Sequence, residues 1–94
     1  MNEQIIDSSA NLFADLGFEP GEAAILSMRA KLMTDLRLWF GNSKLTQSEA
    51  AKVLGVSQSR VSDLVNGRWE EFSLEMLILL EAKVGRRVAL EFVE

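Results

Sequence analysis

The sequence predicts an all-α domain of five helices that ends in one short strand. Apolar residues make up 48% of the 94 residues and recur mostly at the spacing of a helix face. Glycines and a single proline separate the apolar segments, and both residue types are typical of helix ends and turns. The last segment instead alternates apolar and polar residues, a pattern typical of a strand. A chain of this length holds one hydrophobic core, and association with a second copy would bury more apolar surface.

Composition narrows the classes of function. The sequence contains no cysteine and no histidine, which excludes disulfides, thiolate metal sites and catalysis by either residue. Carboxylates could still bind an ion, but no pattern places them in a cleft. We therefore expect a protein that is not an enzyme and that uses no metal and no cofactor. No apolar run approaches the roughly 20 residues of a membrane span, and the N-terminal residues lack the pattern of a signal peptide, so we expect a cytoplasmic protein.

The net charge of −4 is unevenly distributed along the chain. Residues 1–20 contain four acidic residues and no basic one, and residues 70–94 contain six acidic and three basic residues. Residues 21–69, by contrast, contain seven basic and four acidic residues. Positive charge is therefore concentrated in the middle segment, where a surface facing nucleic acid would require it. Ordinary solvent-exposed helix faces would explain this charge pattern about equally well.

Residues 1–20 are interpreted as an acidic N-terminal arm that carries one short helix. Ser9 or Asn11 can cap this helix, and Gly17 can end it. Pro20 marks the boundary to the next element. Because the arm combines apolar residues with negative charge, it suits docking onto a basic protein. Packing on its own domain is an equally good interpretation.

A domain over residues 21–85 follows, and its first element is a long helix. No helix breaker occurs from Glu22 to Phe40, and Gly41 and Asn42 are expected to end the helix. Its apolar stripe consists of Leu26, Ala30, Met33 and Phe40, widened by Leu32, Leu36 and Trp39.

Two short helices are predicted between Thr46 and Gly67. Thr46 and Glu49 have the spacing of a capping box, which starts the first helix, and Gly55 suits the left-handed turn that ends it. Ser57 can cap the second helix, which ends at Gly67. The buried faces of the two helices are formed by Ala50, Ala51, Leu54, Val61, Leu64 and Val65.

A fifth helix is predicted to begin after Ser73, which can cap it, and to end at Gly85. In the segment before it, Trp69 and Phe72 could line a pocket for a partner, but packing in the core is the favoured interpretation for both. The buried face of the helix consists of Met76, Leu77, Leu80 and Val84.

Residues 86–94 are rich in β-forming residues, and Val88, Leu90 and Phe92 alternate onto one face. No other strand is predicted, and an isolated strand would leave its backbone groups unpaired. Pairing with the same strand of a second subunit would satisfy these groups and create a homodimer with two-fold symmetry. We therefore expect these three residues to mediate dimerisation; pairing with the N-terminal segment is the alternative.

The two short helices meet the requirements of a helix-turn-helix, in which the second helix enters the major groove of DNA. Ala51 is small enough for close helix packing, and Gly55 tolerates the positive φ of the tight turn. Val56, Val61 and Leu64 can hold the second helix from behind. A helical bundle in which Gly55 only ends a helix is the less favoured alternative.

The opposite face of the second helix carries short or planar polar side chains. We expect base edges to be read there by Gln58, Ser59, Ser62 and Asp63. Arg60 lies on the flank of this face and is expected to bind a guanine edge or a phosphate. The N-termini of both helices point backbone N–H groups outward, an arrangement suited to phosphate. We therefore expect phosphate contacts at Thr46 and Ser57. Arg68, just after the second helix, is also expected to bind phosphate in preference to a buried partner.

Residues 45–67, LTQSEAAKVLGVSQSRVSDLVNG, resemble the phage-repressor (XRE) helix-turn-helix family, whose pattern is LTQxELAxxLGVSxxxISxxExG. The resemblance implies a lambda-repressor-like fold and sequence-specific binding of double-stranded DNA, with a palindromic operator for a dimer. It also implies that Gln47 and Asn66 bind phosphate and that the outward residues of the second helix face the bases. Val65 stands where the family has Glu. Asp63 places an acid on the reading face, where it can accept a hydrogen bond from cytosine N4 but would also repel phosphate.

Residues 8–24, SSANLFADLGFEPGEAA, further resemble the leader of HigA-type antitoxins, a branch of this family. The helix start at Phe72–Ser73 and the valine-rich last segment fit that branch. This resemblance implies a transcriptional repressor that is the antitoxin of a type II toxin–antitoxin pair. Such a protein neutralises a small basic RelE/HigB-like toxin and represses the shared operon. The alternatives are a stand-alone repressor of the same family and a protein-interaction module that no longer binds DNA.

Overall fold

The computed structural model describes residues 8–92, which fold into five α-helices and one short 3₁₀ turn. The helices are α1 (Ser8–Asp15), α2 (Pro20–Ser43), α3 (Gln47–Leu54), α4 (Gln58–Val65) and α5 (Leu74–Lys83), and the 3₁₀ turn (Trp69–Glu71) lies between α4 and α5. The prediction of an all-α domain with five helices is therefore confirmed. The described residues contain no β-strand.

The long helix α2 is the centre of the fold, since α1, α4 and α5 all pack against it. Helices α3 and α4 pack against each other, and α3 also contacts α5. Phe72 is a core residue, as predicted, whereas Trp69 keeps 42% of its surface exposed and is not. The core between the helices consists of Met33, Leu36, Ala50, Ala51, Leu54, Val61, Leu64, Phe72, Leu77 and Leu80.

Both ends of α2 differ from the prediction by a few residues. The helix begins at Pro20, whose fixed φ suits the first helical position. It continues through Gly41 and Asn42, which the sequence predicts as its end, because a glycine inside a helix costs only about 1 kcal/mol. The helix stops after Ser43, whose hydroxyl accepts a hydrogen bond from the backbone N–H two residues later at 3.1 Å. Lys44 then adopts the left-handed conformation, with φ 62°.

Helix α1 packs against α2 and leaves an apolar edge exposed. It is followed by Gly17 at φ 97°, as predicted. The Phe13 and Phe18 rings meet edge to face, with their centres 5.9 Å apart. Leu12 and Leu16 keep 57% and 66% of their surface exposed. The described part of the predicted arm is therefore a helix docked on the domain; residues 1–7 of the arm lie outside the described residues.

The predicted C-terminal strand is not formed within the single chain. Residues 86–92, here called the tail, have no regular secondary structure, and residues 93–94 lie outside the described range. A strand is defined by backbone pairing, and the described part of the chain offers no second strand. The tail instead borders an apolar groove of about 420 Å³. Its apolar lining consists of Met28, Leu32, Leu74, Ile78, Val88, Ala89 and Leu90.

Helix α5 buries one carboxyl group. Glu81 is 1% exposed, and no donor among the described residues bonds to either of its carboxylate oxygens. Burial, together with the neighbouring Asp35 carboxylate, raises the pKa of Glu81 to about 7. Arg86, at the start of the tail, donates to Asp35 Oδ2 at 3.0 Å, and its positive charge opposes the rise of that pKa.

Candidate nucleic-acid interface

A tight turn centred on Gly55 joins α3 to α4. Gly55 lies at φ 70° and ψ 33°, a left-handed conformation that residues with a side chain rarely adopt. The Ala51 carbonyl accepts hydrogen bonds from the backbone N–H groups of Gly55 and Val56, the latter at 3.0 Å. Only three residues therefore separate the two helices, and Gly55 has the conformation that the sequence predicts.

Helix α4 is held from behind by apolar contacts. Val61 and Leu64 are each 1% exposed. Val56 and Val65 are half-buried and pack against the same core, to which Ala51 of α3 also belongs. With this side buried, the opposite side of α4 faces solvent.

The outward side of α4 presents short polar side chains. Gln58 and Ser59 are exposed in its first turn. Ser62 follows one turn later, and its hydroxyl accepts a hydrogen bond from Asn66 Nδ2 at 3.4 Å. Since helix residues three and four apart share a face, the structure brings Gln58, Ser59 and Ser62 together on one surface.

Thr46 and Ser57 cap α3 and α4. Thr46 Oγ1 accepts from the Glu49 N–H at 3.1 Å, and the Glu49 carboxylate accepts from the Thr46 N–H at 2.9 Å, so the predicted capping box is confirmed. Ser57 Oγ accepts from the Arg60 N–H at 3.2 Å. Each hydroxyl keeps its own hydrogen to donate, and each helix N-terminus carries partial positive charge. Both helix starts are therefore suited to bind a phosphate oxygen.

The remaining predicted phosphate ligands lie at the ends of the same two helices. Gln47 is the first residue of α3 and is half-buried. Asn66 directly follows α4 and is exposed, and Gly67 then turns the chain with φ 71°. Arg68 is exposed, and its guanidinium makes no hydrogen bond or ion pair with residues 8–92.

Arg60 and Asp63 are bound to the protein itself. Arg60 Nη1 donates to the Glu71 carbonyl at 2.9 Å and lies 3.8 Å from the carboxylates of both Asp63 and Glu71. The Arg60 guanidinium also lies over the Phe72 ring, 5.5 Å from its centre. The side chains of Arg60 and Asp63 are 32% and 26% exposed. Base reading by these two residues stays a prediction, and it would require them to leave these contacts.

Arg29 of α2 belongs to the same region, although no motif in the sequence indicates it. Its Nε and Nη2 atoms donate to the Phe72 carbonyl at 2.9 and 2.7 Å, and Nη2 also donates to the Trp69 carbonyl at 3.2 Å. The guanidinium lies 5.1 Å from the centre of the Trp69 ring. These partners are 43 and 40 positions away along the chain, so no local spacing indicates the contact. Arg60 and Asp63, by contrast, have a three-residue spacing that predicts pairing on a helix.

The residues predicted to mediate dimerisation all reach the surface. Val88, Leu90 and Phe92 keep 39%, 76% and 87% of their surface exposed. Exposed apolar side chains of this size are available to a second chain, and dimerisation stays a prediction.

Within residues 8–92, no cluster of three or more potential metal ligands occurs. No helix in the same range combines the length and the apolar character that a membrane span requires.

Comparison with known proteins agrees with this geometry. A family model described as a helix-turn-helix domain matches residues 12–92, which include part of α1 and all of α2 to α5. No protein of curated function matches the sequence. The family match covers most of the chain, including the turn at Gly55 and the capped helices on either side of it. The chain therefore belongs to the helix-turn-helix domain family.

Proposed function

We propose that this protein is a sequence-specific DNA-binding transcriptional repressor that acts as a dimer in the cytoplasm. The observation that carries the proposal is α4, a short helix whose apolar side is held by the core. Its other side presents the exposed Gln58 and Ser59 and the half-buried Ser62. An α-helix fits the major groove of B-DNA, where each base pair displays a distinct pattern of donors and acceptors. Membership of the helix-turn-helix family supports the same function.

The polar side chains divide into base-reading and phosphate-binding groups. The amide of Gln58 can pair with adenine, and the hydroxyls of Ser59 and Ser62 can bond to several base edges. Thr46 and Ser57 bind phosphate through their hydroxyls and the helix N-termini behind them. Further phosphate contacts come from Gln47, Asn66 and Arg68.

The local charge suits DNA although the net charge is −4. Lys44, Lys52 and Arg68 are exposed on or beside α3 and α4. The acidic excess lies in residues 1–20 and 70–94. Because each phosphate contact releases counterions, binding is expected to weaken steeply as salt is raised.

A second copy of the chain suits the exposed apolar surface of the tail. Leu90 and Phe92 are mostly exposed, and Leu79 on α5 keeps 67% of its surface exposed. Pairing of two tails would cover apolar surface and satisfy their backbone groups. The resulting two-fold symmetry would place two α4 helices about 34 Å apart on a palindromic operator.

The finer proposal is that the repressor is the antitoxin of a toxin–antitoxin pair. The resemblance of residues 8–24 to HigA-type leaders supports it. The exposed apolar edge formed by Leu12 of α1 and by Leu16, directly after it, also supports the proposal, because the acidic residues Asp15 and Glu19 lie close to it in the sequence. An apolar and negatively charged edge suits a small basic RelE/HigB-like toxin. A stand-alone repressor of the same family, without this partner, is the alternative.

Selection of duplexes from a random-sequence library, followed by gel-shift titration, tests DNA binding. We expect enrichment of one palindromic sequence and a loss of affinity of about tenfold to 100-fold for Gln58→Ala, the range for one base contact. Glu75→Ala, at an exposed position on α5, is the control and should bind normally. If no sequence is enriched, or if both variants lose affinity equally, the proposal is wrong.

Co-expression with a small basic protein encoded by an adjacent gene tests the antitoxin role. The double variant Leu12→Asp and Leu16→Asp should bind this protein weakly and keep its affinity for the selected duplex. If the two proteins do not associate, the stand-alone repressor is favoured.

A further inference from the structure

The segment between α4 and α5 is held by two arginines from different helices. Arg60 of α4 donates to the Glu71 carbonyl and lies over the Phe72 ring. Arg29 of α2 donates to the carbonyls of Trp69 and Phe72 and lies over the Trp69 ring. A single 3₁₀ turn cannot satisfy all of its own carbonyls. The two guanidinium groups donate to the Glu71 and Phe72 carbonyls, and Arg29 adds a second donor to the Trp69 carbonyl, which already accepts from the Phe72 N–H.

We infer that Arg60 and Asp63 orient α4 instead of reading bases, and that Arg29 is a second positioning residue for this helix. The inference rests on the proposed DNA-binding function and deepens it. Phe72 is 1% exposed and lies in the core. Arg60 therefore connects the outward part of α4 to a fixed point in the fold. A planar group that contacts both a ring and a carbonyl restrains the rotation and the tilt of the helix that carries it.

The same geometry explains why an acid is tolerated at Asp63. Its carboxylate lies 3.8 Å from Arg60 Nη1, one helical turn away, and its side chain is 26% exposed. The Arg60 charge offsets part of the negative charge of this carboxylate, since the Glu71 carboxylate lies at the same distance from Arg60 Nη1. To bind a cytosine edge, the Asp63 carboxylate would have to break its ion pair with Arg60.

Base reading is then left to Gln58, Ser59 and Ser62. The basic surface that meets phosphate includes Arg68 but not Arg60. Arg68 lies eight residues after Arg60, and its guanidinium makes no hydrogen bond or ion pair with the described residues. It is therefore a matched control for the role of Arg60.

Titration at several salt concentrations, on the selected duplex and on a duplex of unrelated sequence, separates the two roles. Arg68→Met should lower the slope of log Kd against log salt by about 0.9, the value for one lost phosphate contact. It should weaken binding to both duplexes alike. Arg60→Met should keep the wild-type slope and weaken only the selected duplex, by about tenfold, as expected when one contact network is disrupted.

Replacing each base pair of the selected duplex in turn distinguishes orientation from direct reading. The loss caused by Arg60→Met should be spread over several base pairs, because a tilted helix displaces all of its reading side chains. A loss confined to one base pair would overturn the inference. A salt slope reduced as in Arg68→Met would also overturn it.

A double-mutant cycle assigns the role of Asp63. If Asp63 acts through Arg60, Asp63→Asn weakens operator binding in the wild-type background but not in the Arg60→Met background. A loss that persists in both backgrounds and falls on one C·G pair would show direct reading and overturn the assignment. Arg29→Met, on the other side of the segment, should reproduce the Arg60→Met result.

Circular dichroism of each variant establishes that it is folded. Should Arg60→Met fail to fold, Arg60→Lys replaces it, because lysine keeps the charge and a donor but lacks the planar group. It should give a smaller loss with the same spread over base pairs. If the wild-type protein enriches no duplex, the proposed function fails; if it binds and the variants contradict the expected pattern, only the inference fails.

Discussion

The α3–α4 pair and the α5 region differ in whether their polar groups have hydrogen-bond partners. At the starts of α3 and α4, each cap hydroxyl and the Glu49 carboxylate accept a hydrogen bond from a backbone N–H three residues away. In α5, the Glu81 carboxylate is buried, has no donor among the described residues and interacts with a second carboxylate, Asp35. At the proposed DNA-binding surface, the polar groups at the helix starts therefore have hydrogen-bond partners. The buried carboxylate without a donor lies in α5 instead.

The cost at Glu81 depends on pH. Two ionised carboxylates cannot donate a hydrogen bond to each other, whereas a protonated Glu81 can donate to Asp35. Burial and the interactions with Asp35 raise the pKa of Glu81 from 4.5 to about 7, while Arg86 acts to lower it. The folded state thus binds this proton more tightly than the unfolded chain. The contribution of Glu81 to stability therefore falls as pH rises from about 4.5 to about 7.

The largest expected effect on stability is that of Glu81→Gln, which replaces the buried ionisable carboxyl of α5 with a neutral amide. At pH 8 the free energy of unfolding should rise by about 3 kcal/mol, since each pH unit between the two pKa values corresponds to about 1.4 kcal/mol. At pH 5 the gain should be below about 1 kcal/mol. Urea unfolding at both pH values measures it, with Glu75→Gln at an exposed position of the same helix as the control. An equal gain at both pH values would contradict the assigned cause.

The next effect is that of Gly55→Ala, which disturbs the α3–α4 pair instead. The free energy of unfolding should fall by about 1–2 kcal/mol, because alanine is strained at φ 70°. The nearest atom to a new Cβ is Lys83 Cε at 3.9 Å, so no clash contributes. Gly41→Ala, inside α2 with open space around it, should stabilise the protein by about 0.5–1 kcal/mol. Urea unfolding that gave the two variants the same sign would refute this explanation.

The smallest effect is that of Ser57→Ala, which removes the cap of α4. We expect a loss of about 1 kcal/mol, the same at pH 5 and pH 8, because no titrating group takes part in the bond. Ser48→Ala, at an exposed non-cap position in α3, serves as the control and should be close to neutral. If the loss of unfolding free energy differed between the two pH values, the α3–α4 pair and the Glu81 region would be energetically coupled and not independent.

Features that depend on residues close in sequence could be predicted. The caps at Thr46, Ser57 and Ser73 and the turn at Gly55 all occur where the spacing places them. The buried side of α4 follows from apolar periodicity alone. These features fix the shape of the candidate site, because a polar face is defined once the apolar face is known.

Features that depend on distant residues could not be predicted. Arg29 is bound to carbonyls 40 and 43 positions away, and nothing near it in the sequence marks that contact. The burial of Glu81 was partly predictable, because Glu81 lies four residues after Leu77 and thus on the buried face of α5. Whether such an acid is enclosed depends on the packing of α2 against α5. The tail differs again, since a strand needs a partner that the described chain does not supply.

On α4, the residues that maintain the fold are different from those that face outward. Val61 and Leu64 lie in the core, Ser57 caps the helix and Arg60 ties it to the next segment. The side chains at positions 58 and 59 make no hydrogen bond or ion pair with residues 8–92, and the side chain at position 62 has one bond, to Asn66. In evolutionary terms, a protein of this design can acquire a new target sequence through substitutions at these three positions while its stability is largely preserved. Descendants of one ancestor could then regulate different genes with the same scaffold.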